Sequence, residues 1–155
     1  MVSVCLLADR PELIEPVGRI RWREWGHAPE PGDPAFWIEV TRREASRDRL
    51  PLTLAAVDTA GAAVGAVGLG ELDQEDLRDH SPWVLGMGVD PAWRGRGGGR
   101  ALLSRLEARA AELGFRQMWV ATKHAAGFYQ RCGWQHAGSA DTAGEGAMAV
   151  LTTLL

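Results

Sequence analysis

GVDPAWRGRGGGRALLSRLEARAAELG, residues 88–114, is the most informative segment of this sequence because it joins a strand end, a glycine cluster and a long apolar stripe. Leucine and alanine recur at helical spacing in its second half, which predicts an amphipathic helix that ends at Gly114. The preceding SPWVLGMGV, residues 81–89, predicts a strand. Gly86 and Gly88 inside that strand are typical of a bulge or of close ligand approach.

The glycine-rich loop from Gly95 to Arg100 is a candidate phosphate-binding site. It places several amides without side chains at the first turn of a helix, where N–H groups lack internal partners and the helix dipole favours an anion. A Cβ would hold phosphate oxygens away and would penalise the positive φ angles of such a loop. A flexible surface turn is the alternative interpretation.

Two common nucleotide-binding motifs do not match this loop. A GxGxxG fingerprint starting at Gly95 would need glycine at position 100, which is arginine, and no GK[ST] follows a glycine cluster. NAD and ATP sites are therefore disfavoured. The loop fits the pattern [R/Q]-x-x-G-x-[G/A], with Arg94, Gly97 and Gly99 at the specified positions.

The rest of the chain shows an alternation of strand and helix patterns. Further strands are predicted at residues 1–7, 50–57, 62–72, 115–122, 134–137 and 146–152, and helices at about 11–25, 34–47 and 125–131. Asp9 is the expected cap of the first helix, and Asp58 begins the turn of a hairpin. The predicted order is β-α-α-β-β-β-α-β-α-β-β, which indicates one α+β domain over residues 1–155.

Composition excludes several classes of protein. The 155 residues are 46% hydrophobic and 24% charged, as expected of a single globular domain, and the net charge of −3 gives no positive field for nucleic acid. The two cysteines, Cys5 and Cys132, lack CxxC spacing, so neither a disulfide scaffold nor a metal site is expected. The histidines His27 and His136 likewise have no neighbours that suggest a metal.

The first residues lack the basic and long apolar regions of a signal peptide, and the longest uncharged stretch, residues 59–70, is too short to span a bilayer. We therefore expect a cytoplasmic protein without a membrane segment. A terminal strand with an exposed edge would offer a surface for a homodimer.

Residues 88–115 resemble the acetyl-CoA motif of the GCN5-related N-acetyltransferase (GNAT) family, and KHAAGFYQRCGW, residues 123–134, resembles that family's later helix-turn-strand motif. WREWG at residues 22–26 and LPLTLAAVD at residues 50–58 are similar to bacterial members related to the actin N-terminal acetyltransferase. The resemblance implies a mixed, mostly antiparallel central sheet of about six or seven strands flanked by about four helices. In that fold the fourth strand splays from the fifth to leave a cleft.

The same resemblance implies where acetyl-CoA binds. Acetyl-pantetheine would pair with the backbone of Met87, Gly88 and Val89 in the fourth strand. The residues expected to hold the pyrophosphate or pair with phosphate charges are Arg94, Gly95, Arg96, Gly97, Gly98, Gly99 and Arg100.

Tyr129 matches the tyrosine that in many family members protonates the departing CoA thiolate. A phenol of ordinary pKa, about 10, is protonated at neutral pH and serves as a general acid when correctly placed. Packing in the core is the alternative role. The family often has asparagine seven residues earlier, where this chain has Thr122, so a side-chain contact from that position to pantetheine is in doubt.

An attacking amine must be neutral, so a general base is useful. Glu71, at the end of the third strand, and His80, before the fourth, are the main candidates; Asp73 and His124 are others. A solvated loop is the alternative account of the acidic segment, which comprises Glu71, Asp73, Glu75, Asp76 and Asp79. Together these carboxylates could attract a cationic amine.

The predicted function is transfer of the acetyl group of acetyl-CoA to a primary amine, of a small molecule or peptide, by direct attack in a ternary complex. The alternatives are a CoA-binding regulatory domain without catalysis and a module that binds another phosphate or nucleotide. The sequence does not identify the acceptor, because fold does not imply substrate.

Overall fold

A computed structural model describes residues 1–26, 32–141 and 146–155. Its strands are β1 Ser3–Leu6, β2 Leu52–Val57, β3 Ala63–Gly70, β4 Trp83–Val89, β5 Gln117–Thr122, β6 Gln135–Ala140 and β7 Met148–Leu154. Its α-helices are α1 Ile14–Trp25, α2 Pro34–Arg43, α3 Gly98–Glu112 and α4 Ala126–Arg131. This is the predicted order of elements. Within the described residues, none of the helices has the length and apolar character to cross a membrane.

The seven strands form one sheet in the order β1-β2-β3-β4-β5-β7-β6. The β1–β2, β2–β3, β5–β7 and β6–β7 pairs are antiparallel. By contrast, β4 and β5 are parallel and pair at Trp83 opposite Trp119. This confirms the predicted architecture, a mixed and mostly antiparallel sheet with four helices. The parallel pairing of β4 with β5 is confined to one residue pair, which fits the predicted splay of these two strands.

Two compact units make up the described chain, and the first comprises residues 1–69 and 86–106. Its core contains Leu7 and Leu13, Val17 of α1, Ala55 of β2 and Ala66 of β3. Apolar residues recur along one face of α1, so this helix covers the sheet and hides its apolar stripe from water. The turn at residues 58–61 joins β2 to β3 as predicted, with the amide of residue 58 donating to the carbonyl of residue 62 at 3.0 Å.

Two boundary predictions in the first unit are wrong. Asp9 does not cap α1; it lies in a 3-10 turn, and α1 begins only at Ile14 without a side-chain cap. A second 3-10 turn, Pro11–Leu13, comes directly before the helix. The helix α2 starts at Pro34 as predicted, where Asp33 accepts a hydrogen bond from the Ala35 amide at 2.9 Å, but it ends at residue 43 rather than about 47.

The second unit comprises residues 70–85 and 107–155. Its core is built around Trp83, Ala140 and Val150, with Leu77 and Trp119 packed against them. Gly114 takes a φ of +94° and ends α3, as the sequence predicts for a left-handed C-terminal glycine. The strand β6 runs over residues 135–140, longer than the predicted 134–137, because a register shift between residues 136 and 138 lets it continue its pairing with β7.

Candidate active site

The glycine loop in the first unit has the backbone conformation that its composition predicts. A 3-10 turn over Pro91–Trp93 follows β4, with Asp90 accepting a hydrogen bond from the Ala92 amide at 2.9 Å. Gly95 and Gly97 then take φ angles of +76° and +84°, in the left-handed region that favours glycine. A Cβ at either position would meet nothing within 4 Å, so glycine is required here by conformation rather than by crowding.

The helix α3 begins at Gly98, directly after these two left-handed residues. Its first backbone bond is donated by the Ala101 amide to the Gly97 carbonyl at 3.0 Å. The amides of Gly98 and Gly99 precede that bond and lie at the positive end of the helix. The loop amides therefore adjoin the first turn of α3, where the helix dipole favours an anion.

The three arginines of the loop differ in their surroundings. The guanidinium of Arg94 donates to a carboxylate oxygen of Glu24 at 2.8 Å and to the Val89 carbonyl at 3.2 Å, so it joins the loop to α1 and to the end of β4. Arg96 lies over the ring of Trp93, 4.8 Å from its centroid. Arg100 is exposed. Arg94 therefore ties the loop to two neighbouring elements of the protein.

The last residues of β4 leave regular strand geometry, as the glycines in the sequence predict. Gly86 has a φ of +52°, which breaks the extended conformation immediately before Met87. A Cβ at Gly88 would lie 3.5 Å from the ring of Trp25, so α1 approaches the strand closely here. On the β3 side, a Cβ at Gly65 would lie only 3.0 Å from the Gly88 carbonyl oxygen. The predicted acetyl-pantetheine segment, residues 87–89, thus starts at a kink and is closely packed by its neighbours.

Sequence reasoning missed Arg21, which lies in α1. Its side chain is only 2% exposed and ion-pairs with Glu44 at 3.1 Å. It also donates to the hydroxyls of Thr41 at 3.2 Å and Thr53 at 3.3 Å. Burial lowers the pKa of the Arg21 guanidinium, and the Glu44 carboxylate opposes that shift. The available signal was its spacing: positions 14, 17 and 21 fall on one helical face, and the first two are apolar.

Tyr129 lies in the second unit, on α4, and is 4% exposed. Its ring contacts those of Phe128 and Trp134, with centroids 5.2 and 5.4 Å away. Burial, with a smaller contribution from the Cys132 thiol, raises the pKa of Tyr129 above its ordinary value. The phenol therefore holds its proton at neutral pH, which is the state that a general acid requires.

Of the two main candidate bases, the more constrained is His80, also in the second unit. Its ring stacks on Trp119 at 3.8 Å, with an angle of 3° between the planes, and its carbonyl accepts a hydrogen bond from the Trp83 indole at 2.6 Å. The carboxylate of Asp79 lies 3.7 Å from Nδ1. Glu71 is exposed, just beyond β3. The stack gives His80 a defined orientation that the sequence alone did not indicate.

The acidic segment contains one buried polar side chain, Gln74, which is 5% exposed. Its amide nitrogen donates to the Asp73 carboxylate at 3.1 Å. Asp73, Glu75 and Asp76 are themselves exposed, as a solvated acidic loop would be. Within the described ranges, no group of three or more metal-ligating side chains occurs, and His136 is exposed. His27 and most of the loop from residue 26 to residue 34 lie outside the described residues.

Comparison with known proteins gives consistent results. The family model described as the acetyltransferase (GNAT) family matches residues 14–134. The chain is 38% identical over 93 residues to N-alpha-acetyltransferase 80 of Mus musculus, a match that takes in 58% of this chain and 30% of that protein. This chain therefore corresponds to less than a third of that relative's length.

Solved structures share the fold over the whole chain. An aminoglycoside 6′-N-acetyltransferase complexed with coenzyme A has a TM-score of 0.78 at 16% identity, covering 99% of this chain and 96% of its own. A GCN5-related N-acetyltransferase from Kribbella flavida has a TM-score of 0.74 at 23% identity, covering 99% and 98%. At these identities the likeness establishes the fold, and it confirms the architecture that the sequence predicted.

Proposed function

This chain belongs to the acetyltransferase (GNAT) family, and from that premise we propose that it transfers the acetyl group of acetyl-CoA to a primary amine. One observation carries the proposal: Gly95 and Gly97 adopt left-handed φ angles directly ahead of α3. A residue with a Cβ would pay about 1–2 kcal/mol to adopt that conformation. The loop amides also lie next to the start of α3, where the helix favours an anion.

Each part of acetyl-CoA has residues suited to it in the first unit. We assign the pyrophosphate to the amides around Gly97, Gly98 and Gly99, and pairing with the phosphate charges to Arg96 and Arg100. We assign the pantetheine amides to the backbone of residues 87–89, beyond the kink at Gly86. Arg94 has a supporting role in this assignment, since it holds the loop to Glu24 and Val89.

The reaction needs two proton movements. The neutral amine attacks the thioester carbonyl carbon, the carbon–sulfur bond breaks, the sulfur leaves as a thiolate, and the new amide nitrogen loses one proton. We assign protonation of the thiolate to Tyr129, whose phenol carries its proton at neutral pH. We assign removal of the amine proton to His80 or Glu71, directly or through water, and the fixed ring of His80 favours the histidine.

Calorimetric titration with acetyl-CoA, ATP and NAD tests the proposal at the level of binding. Acetyl-CoA should bind in preference to both nucleotides, because the loop lacks the features of a P-loop and of a dinucleotide fingerprint. Equal affinity for the three would assign the loop to a general phosphate-binding module. Tight acetyl-CoA binding without thiol release from any amine or peptide would indicate a regulatory CoA-binding domain instead.

A further inference from the structure

The buried guanidinium of Arg21 lies where three elements of the first unit meet. It is held by Thr41 in α2, by Glu44 just after α2 and by Thr53 in β2, at 3.2, 3.1 and 3.3 Å. Thr41 and Thr53 are both fully buried, and the Thr53 hydroxyl also donates to the Glu44 carbonyl at 2.9 Å. The guanidinium is therefore fixed from several sides and has little freedom to move.

A fourth element, β4, touches this guanidinium at Gly86. A Cβ built on Gly86 would lie 3.5 Å from Nε, 3.7 Å from Nη2 and 3.8 Å from Cζ of Arg21. Gly86 therefore lies beside the Nε and Nη2 side of the guanidinium. The contact occurs at the one residue of β4 with a left-handed φ, +52°.

The charge is costly at this place, which argues that its position matters. A buried guanidinium loses its hydration, and its Nε has no hydrogen-bond partner within the described part of the chain. An apolar side chain at position 21 would complete the stripe of residues 14 and 17 without that cost. Only arginine offers several donors in one fixed planar fork.

We propose that Arg21 is a positioning residue for acetyl-CoA: it supports the kink at Gly86 and so sets the path of the backbone of residues 87–89. The proposal rests on the proposed function, because it assigns those residues to the pantetheine. Arg21 does not touch the reacting atoms; it acts through Gly86. The glycine loop is also held to α1, through the bond of Arg94 to Glu24 at 2.8 Å, and therefore depends less on this support.

The test compares Arg21→Lys with Arg19→Lys, a matched change two residues away on the same helix. Arg19 has a side chain 46% exposed and bonds to Glu15 within α1. Lysine at position 21 keeps the charge beside Glu44 but cannot span Thr41 and Thr53. Each variant is titrated with acetyl-CoA and, separately, with 3′-phosphoadenosine 5′-diphosphate, the nucleotide part of coenzyme A without pantetheine.

We expect Arg21→Lys to raise the Kd for acetyl-CoA about tenfold while the Kd for the nucleotide changes less than about twofold, and Arg19→Lys to change neither. A purely structural role would lower Tm but leave both constants of the folded protein unchanged, or weaken both equally; either result overturns the proposal. If Arg21→Lys does not fold, Thr53→Val, which removes one acceptor and keeps the shape, is judged by the same two constants. Absence of acetyl-CoA binding by the wild type would instead refute the proposed function.

Discussion

Gly97→Ala should weaken acetyl-CoA binding by roughly 5- to 30-fold. The residue at position 97 has a φ of +84°, and an alanine held in that region pays about 1–2 kcal/mol, which corresponds to this factor when the strained conformation is required for binding. Nothing lies within 4 Å of the added Cβ, so the substitution does not clash with the protein. Any further loss would come from the methyl group holding phosphate oxygens away from the loop amides.

Gly114→Ala is the matched control, because Gly114 has a φ of +94° and equally open surroundings but ends α3 in the second unit. Calorimetric titration with acetyl-CoA and thermal unfolding are measured on both variants. Gly114→Ala should lose stability without losing affinity, whereas Gly97→Ala should lose affinity. Equal acetyl-CoA affinity in Gly97→Ala and the wild type would refute the assignment of this loop to the pyrophosphate.

Four further outcomes are expected. Tyr129→Phe should lower turnover about 100-fold while leaving the acetyl-CoA Kd unchanged in calorimetry, and equal turnover would assign Tyr129 to packing. The raised pKa of Tyr129 means that the phenol keeps its proton up to at least about pH 10, so the rate of thiol release by the wild type should not fall between about pH 8 and about pH 10 for that reason. A fall in this range that is present in the wild type and absent in Tyr129→Phe would contradict this expectation. Asp33→Ala should remove the cap of α2 and lower the free energy of unfolding by about 1 kcal/mol, which corresponds to a Tm lower by about 2–4 °C. An unchanged Tm would show that the cap is dispensable. The double variant Asp73→Asn, Asp76→Asn should have a higher KM for polyamine acceptors at low salt, with a smaller change for neutral acceptors. If the wild type acetylates acidic peptides better than polyamines, that expectation is wrong.

The signals that could be read from the sequence are local ones. The strand, glycine loop and helix of residues 81–114 are predicted because periodicity and glycine conformation are determined by near neighbours. The left-handed φ angles at Gly95, Gly97 and Gly114 follow from the same reasoning. Boundaries were less predictable: α2 ends four residues early, because no single residue at that end dictates where a helix must stop.

The contacts that could not be read are those between distant residues. Arginine at position 21 suggests a solvated face, and only its partners 20 to 32 residues away explain its burial. The stack of His80 on Trp119 likewise depends on the pairing of β4 with β5, which spacing alone does not indicate. The candidate base was thus named from its place in the sequence, while its fixed orientation is a property of the fold.

Thiol release from acetyl-CoA in the presence of a panel of amines and peptides, with mass spectrometry of the acceptors, tests the central claim most directly. Acetyl transfer predicts that thiol appears in step with an acetylated amine, that Gly97→Ala requires more acetyl-CoA to reach the same rate, and that Tyr129→Phe is slow at saturating acetyl-CoA. Thiol release without an acetylated acceptor, or no release with any amine or peptide at saturating acetyl-CoA, would contradict it.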